Sequence, residues 1–433
     1  MKQKFNSHLD YEKTHRLNLY PDSYKQHIVD SIQALGKEIG LVRIEQKNAL
    51  KVLLCNLYFI RNEKIRTPRA KKSLGSLRYN PLKIGYKSLI TVLDKLVTHK
   101  FITQELGFRD VTWEESKMTT VISTDKLSDW FNENNWTHLD INWQDEELLI
   151  LRRDNKNNEM VDYVDGVRST RIRDELTKYN ELINDTEILV LNKKGDIVNE
   201  YNDLILRRIF VSYDKHEVNS DADLFSFGGR MYGPWCNLNE KQRSNITLNG
   251  NKTVEIDLEA SHINAMYGSI TGKPYQYGDP YNELYVDGYL IPRHIVKQVA
   301  TIMQFSKNTQ GTAAGLEGHY FPSVDFSIKK KQQSKKDLER AKEYKYIKSL
   351  VKPGAIIRQF LKRHKDIAWH YHKGRMMGHH IQYWESSFVF RIVNQLTNKQ
   401  IPVLTVYDSF IVEEQYKDVV HHLISSTPYK DNE

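Results

Sequence analysis

The chain has 433 residues, of which 39% are hydrophobic, enough for packed cores in roughly two to four domains. Lys and Arg number 63 against 55 Asp and Glu, a formal charge of +8 that suits a polyanionic partner, either nucleic acid or an acidic membrane surface. The two cysteines, Cys55 and Cys236, exclude a disulfide scaffold and a cysteine-built zinc site. Neither an apolar leader nor a run of about 18 apolar residues is present, so a cytoplasmic enzyme or nucleic-acid binder with no membrane partner is expected.

Residues 1–40 form a polar N-terminal extension with a helix expected around Tyr24–Lys37. Residues 41–130 read as a winged-helix-like domain. Leu50, Leu53, Leu54 and Leu57 recur at i, i+3, i+4, i+7, and Leu89, Val92, Leu93 and Leu96 repeat the pattern, each marking one apolar helix face. The turn-rich segment YNPLKIG introduces the second helix, and two β-rich runs, FITQELG and MTTVISTD, follow it. Helix, turn, helix and hairpin is the order of a module that lays its second helix in the DNA major groove. Lys83, Lys87 and Lys95, with Ser88, are its candidate phosphate contacts. A partner-binding or purely structural role is the bland alternative.

Residues 131–200 read as a connector with an amphipathic helix near Arg171–Ile183. Residues 201–433 carry the chemistry. In TVEIDLEASHINAMYG, Val254, Ile256 and Leu258 alternate with Glu255 and Asp257, a strand of period two. Helical spacing begins just beyond it, which leaves Asp257 at a strand end. Arg293, Lys297, Thr301 and Phe305 recur every four residues, along one side of a helix. Cations at i, i+4 repel each other unless an anion lies beside them, and a bound triphosphate is such an anion. The segment Ser327–Lys348 is lysine-rich, either a solvated helix or a phosphate-contacting element. Near the C-terminus, the runs VLTV and FIV flank Tyr407-Asp408-Ser409, a tight hairpin with an aspartate at its tip. Two strand-borne aspartates suit hard divalent cations that favour oxygen ligands and phosphates.

In that order the elements resemble the A-family DNA polymerases, typified by bacterial DNA polymerase I, over about residues 225–415. The match is closer to the shortened enzymes of phages and mobile elements, among them the primase-polymerase of staphylococcal chromosome cassettes. The resemblance implies an α+β fold: a right-hand palm and fingers with an antiparallel palm sheet, following the winged-helix-like domain and a connector that serves as a reduced thumb. Gly229-Arg230 resembles the family's Gly-Arg, which implies that Arg230 contacts the primer–template. Asp257 and Asp408 are implied to hold two Mg²⁺ ions, with Mn²⁺ as an alternative and the carbonyl of Leu258 as a further ligand. Arg293 and Lys297 are implied to bind the triphosphate, with Lys297 as proton donor to pyrophosphate. His262, Thr301 and Phe305 are implied to line the nucleotide pocket.

The chain departs from the family at several positions. His262 stands where the family has a glutamate, Thr301 where it has an aromatic residue, Phe305 where it has a tyrosine, and Tyr407-Asp408-Ser409 where it has His-Asp-Glu. The function implied is template-directed DNA polymerisation from dNTPs on a DNA template-primer, with priming, a small accessory protein and a helicase left open. The competing readings are an RNA-synthesising primase on the same palm, a non-catalytic DNA-binding replication protein, and an unrelated nuclease or metal hydrolase.

Overall fold

The computed structural model describes residues 14–61, 63–67, 77–109, 116–142, 146–155, 158–201, 204–213, 221–321 and 335–430. The chain is mixed α and β with mainly antiparallel strand pairing. It divides into two compact units, Met1–Val164 with Gly195–Ile205, and Asp165–Lys194 with Leu206–Glu433.

In the first unit, strand β1 (Thr14–Arg16) leads to helices α1 (Gln26–Glu38) and α2 (Ile44–Phe59), strand β2 (Lys64–Arg66), helix α3 (Tyr86–Thr98), strands β3 (Ile102–Glu105) and β4 (Thr120–Ser123), and helix α4 (Asp125–Glu133). The four strands form one sheet in the order β1-β2-β4-β3. The apolar residues spaced at i, i+3, i+4, i+7 in α2 and α3 are buried together with Ile28, Ile32 and Leu35 of α1, so three helical stripes share one core with Val121 of the sheet. Lys83 and Lys87 are exposed, and Lys95 is half-buried on the side of α3 that faces Gly40.

The second unit opens with α5 (Val167–Asn184), β5 (Ile188–Leu191), β6 (Arg207–Ser212), β7 (Gly228–Tyr232), β8 (Ile246–Leu248), β9 (Asn251–Asp257) and α6 (Ser261–Thr271). A short hairpin, β10 (Leu284–Val286) and β11 (Tyr289–Ile291), precedes a run of helices: α7 (Arg293–Phe305), α8 (Thr309–Tyr320), α9 (Lys335–Leu350), α10 (Pro353–Arg363) and α11 (Arg375–Asn398). The chain closes with β12 (Leu404–Val406), β13 (Ser409–Glu413) and α12 (Lys417–Ser426). Strands β12, β13, β9, β8 and β5 lie side by side, each antiparallel to its neighbour. The apolar faces of α6 to α11 close over a second core that holds Met266, Val299, Met303, Tyr344, Phe360 and Ile381. Of the lysine-rich segment Ser327–Lys348, residues 327–334 lie outside the described residues and the rest belongs to α9. Among the described residues, no helix is long and apolar enough to cross a membrane.

Candidate functional site

Two strand ends create the site. Asp257, the last residue of β9, pairs in register with Ser409, the first of β13, and the N–H of Leu258 donates to the carbonyl of Asp408 at 3.0 Å. Neighbouring strands lie about 4.8 Å apart, so Asp257 at the end of β9 sits beside Asp408, the turn residue just before β13. Sharp backbone turns hold both ends. Ala260 takes a left-handed conformation (φ 45°, ψ 41°) between β9 and α6, and Tyr407 does so at the β12–β13 tip (φ 59°). Both are unusual for residues with a side chain, and such outliers cluster at functional sites.

The two carboxylates differ in setting. Asp257 is exposed, and one of its oxygens accepts from the Ser409 hydroxyl. Asp408 is half-buried and accepts from Ser261 Oγ at 2.8 Å. Burial raises its pKa, the charge of Glu385 adds to the rise, and the Ser261 bond and Arg230 oppose it.

Glu385, on α11, was not picked out in the sequence. It is buried, and Arg230 grips it with Nε–Oε2 at 2.9 Å and Nη2–Oε2 at 2.6 Å. His262 Nε2 lies 3.4 Å from Oε1, and Ser261 Oγ lies 3.1 Å from the same oxygen. Burial alone would raise the Glu385 carboxyl, but His262 and Arg230 outweigh it and bring it down to about 2. Glu385 is therefore an anion already neutralised inside the protein, and it fixes the residues around Asp408.

Backbone geometry delivers Arg230 to this glutamate. Strands β6 and β7 slip register between Ile209 and Phe210, so Gly229 is an extra, bulged residue. Its φ is +79°, and a Cβ there would lie 2.7 Å from the Phe210 ring and 3.1 Å from Ser386 Oγ. Only glycine fits this turn without strain. The Arg230 guanidinium also lies 5.1 Å from the centre of the Tyr407 ring, which meets Tyr232 edge-on at 6.0 Å.

A cleft of about 150 Å³ lies beside Asp408, although Asp257 is not among the described residues that line it. Arg230, Leu258, Ser261, His262, Glu385 and Asp408 form one side, and Lys297 and Thr301 of α7 form another. The remaining expected site residues fall elsewhere. Arg293 is tied to Asp279 Oδ2 at 2.5 Å and lines a neighbouring cleft of about 490 Å³, which Lys297 also lines. Phe305 packs on α11, its ring 5.7 Å from that of His379, and it fills the space a Cβ on Gly378 would occupy. Lys83, Lys87 and Lys95 belong to the first unit. A further cleft of about 220 Å³ in the second unit carries Arg168, Arg171, Arg208 and Arg391 beside Glu175.

Among the described residues, no three His, Cys, Asp or Glu side chains are grouped to hold a metal ion. The oxygen donors on offer at the strand ends are two carboxylates and the backbone carbonyls beside them. Compared with protein-family models, curated proteins and solved structures, the chain matches none.

Proposed function

We propose that the chain is a template-directed DNA polymerase, a nucleotidyltransferase akin to the shortened A-family enzymes of phages and mobile elements. One observation carries this reading: Asp257-Leu258 at the end of β9 meets Tyr407-Asp408 at the adjacent β12–β13 turn, and a helix bearing Lys297 walls the same cleft as Asp408. Paired carboxylates alone would suit a nuclease or metal hydrolase equally well. The cationic helix beside them suits a substrate that brings its own phosphate chain.

The donor set fits Mg²⁺. The carboxylates of Asp257 and Asp408 and the carbonyl of Leu258 are hard oxygen ligands of the kind Mg²⁺ takes, and Glu385 is withheld by Arg230 and His262. Bound Mg²⁺ supplies charge stabilisation at phosphoryl oxygens and a more acidic primer hydroxyl. The chain's own residues do the remaining work. Ser261 orients the carboxylate of Asp408 through its 2.8 Å bond. Lys297, shared by both clefts, binds the triphosphate and gives a proton to departing pyrophosphate, while Arg293 holds the outer phosphates. Thr301 and His262 border the sugar and base. Arg230 and the rings of Tyr407 and Tyr232 grip the terminal pair.

The first unit is read as a winged helix, a reading supported by its order of α2, β2, α3 and the β3–β4 pair, and by the sheet order β2-β4-β3. Its phosphate contacts are Lys83 and Lys87, which are exposed, and the half-buried Lys95.

A second reading, an RNA-synthesising primase on the same palm, is favoured by one observation. His262 is drawn into contact with Glu385 and Arg230, and Thr301 is small, so less bulk guards the sugar. Primed and unprimed single-stranded DNA, incubated with Mg²⁺ and labelled dNTPs or NTPs, separates the readings by product length. Extension of the primer with dNTPs is expected. NTP-built products on unprimed template move the assignment to the primase, and no product from either nucleotide set overturns both.

A further inference from the structure

The cleft of about 490 Å³ beside the carboxylate site is built from three helices. Arg293 and Lys297 come from α7, His319 and Tyr320 from α8, and Arg340 from α9. Among the described residues that line it are three full cations, Arg293, Lys297 and Arg340, and one acid, Asp337. Neither Lys297 nor Arg340 forms an ion pair among the described residues. Burial lowers the pKa of both His294 and His319, and Arg340 adds to the fall, opposed by Glu343 and Asp337 respectively. Arg293 is already paired with Asp279, so Lys297 and Arg340 are the two lining cations that carry no ion pair among the described residues.

Arg340 is held in place through its own helix. Tyr344, one turn later on the same face, stacks on Tyr320 of α8 with ring centres 4.3 Å apart and donates its hydroxyl to Glu317 at 3.0 Å. Lys348 pairs with Glu317 at 2.7 Å, and His294 of α7 lies 3.6 Å from Glu343. The three helices are therefore cross-linked by polar and aromatic contacts, and α9 presents Arg340 across the cleft from α7.

We propose that Arg340 completes a polyphosphate clamp with Arg293 and Lys297, so that the lysine-rich segment supplies a third cation to the phosphate tail of the nucleotide. The proposal rests on the triphosphate role given to Arg293 and Lys297 above, and adds a residue and a helix to it. Guanidinium groups from two sides of one cleft suit a flexible chain of phosphates, because each can donate two parallel hydrogen bonds to a phosphate. The same chemistry could serve a nucleic-acid backbone, so the test must tell the two sources apart.

The test is calorimetric titration of the full chain with inorganic tripolyphosphate, without divalent cation, and in parallel with a short oligo(dT). Arg340→Gln is expected to weaken tripolyphosphate binding roughly tenfold with little change for oligo(dT), and Arg340→Lys to recover part of the loss. Lys345→Gln, an exposed position on the same helix, is the control for general loss of charge and is expected to bind as the wild type does. The clamp is overturned if Arg340→Gln binds tripolyphosphate normally, if Lys345→Gln loses as much, or if only oligo(dT) binding falls. Primer extension is assayed separately: its absence, with the Arg340 effect intact, removes the polymerase and keeps the clamp. Extension with no Arg340 effect does the reverse.

Discussion

Ser409, not Asp408, faces Asp257 across the sheet, and its hydroxyl donates to the Asp257 carboxylate. The hairpin tip carries Asp408 onto Ser261 and into the lining of the cleft, while Asp257 is not among the described residues that line it. Asp257 is exposed and Asp408 is half-buried.

If both acids serve nucleotidyl transfer, Asp257→Asn and Asp408→Asn should each lower primer extension by at least roughly a hundredfold. Binding of primed DNA should change little. Extension rates with gel-shift affinities check this, and near wild-type extension by either variant removes the assignment.

Arg230 and Glu385 should behave as a unit. Removing one partner of a buried ion pair leaves a charge stranded and costs about 3–5 kcal/mol. Arg230→Met is therefore expected to destabilise the fold strongly, and Glu385→Gln less, because an amide still accepts from Arg230. Adding Glu385→Gln to Arg230→Met should cost less than the sum of the two single changes. Urea unfolding of the three variants measures the coupling, and additive losses would show that the pair is not energetically linked.

Stability should fall in mild acid through His364. This ring is fully buried, with Nε2 at 3.0 Å from the carbonyl of Pro280 and Nδ1 at 3.2 Å from the Tyr267 hydroxyl. Burial lowers its pKa from the ordinary 6.5 to about 4. The unfolded chain therefore takes up a proton below 6.5 that the folded chain refuses until about 4. The stabilisation is complete above 6.5 and is lost as the pH falls through that window, on the order of 3 kcal/mol in all. His370, also buried and also lowered to about 4, adds in the same sense. Unfolding midpoints taken between pH 7 and pH 4 should slope downward, and His364→Gln should flatten the slope.

Lys297→Ala should weaken dNTP binding and slow transfer together, since this side chain lines both clefts. Steady-state KM and kcat for dNTPs measure the two effects, and a change in KM alone would restrict Lys297 to holding the phosphate tail.

Local pattern reached far into this fold. The leucine spacing marks α2 and α3, the helix expected at Tyr24–Lys37 is observed at Gln26–Glu38, and Asp257 ends a strand as its alternation requires. Tyr407-Asp408 forms the turn between β12 and β13. What escaped was Glu385, because its meaning depends on an arginine 155 residues away in sequence. One local signal was available: an acid inside α11, among Ile381, Phe388, Val389 and Phe390, must find a cation or lose its charge. Arg340 escaped for a similar reason. It is exposed on a lysine-rich helix, and the packing of Tyr344 on Tyr320 is what sets it on the lining of the larger cleft.

The bulge at Gly229 also bears on how such a chain can drift over generations. Any side chain there meets the Phe210 ring within 2.7 Å, in a backbone conformation that L-residues rarely adopt. Descendants that keep Arg230 on Glu385 have almost no latitude at the preceding residue. A lineage that does place a larger residue there must have rebuilt the ring opposite it, and so would record two substitutions where one was needed.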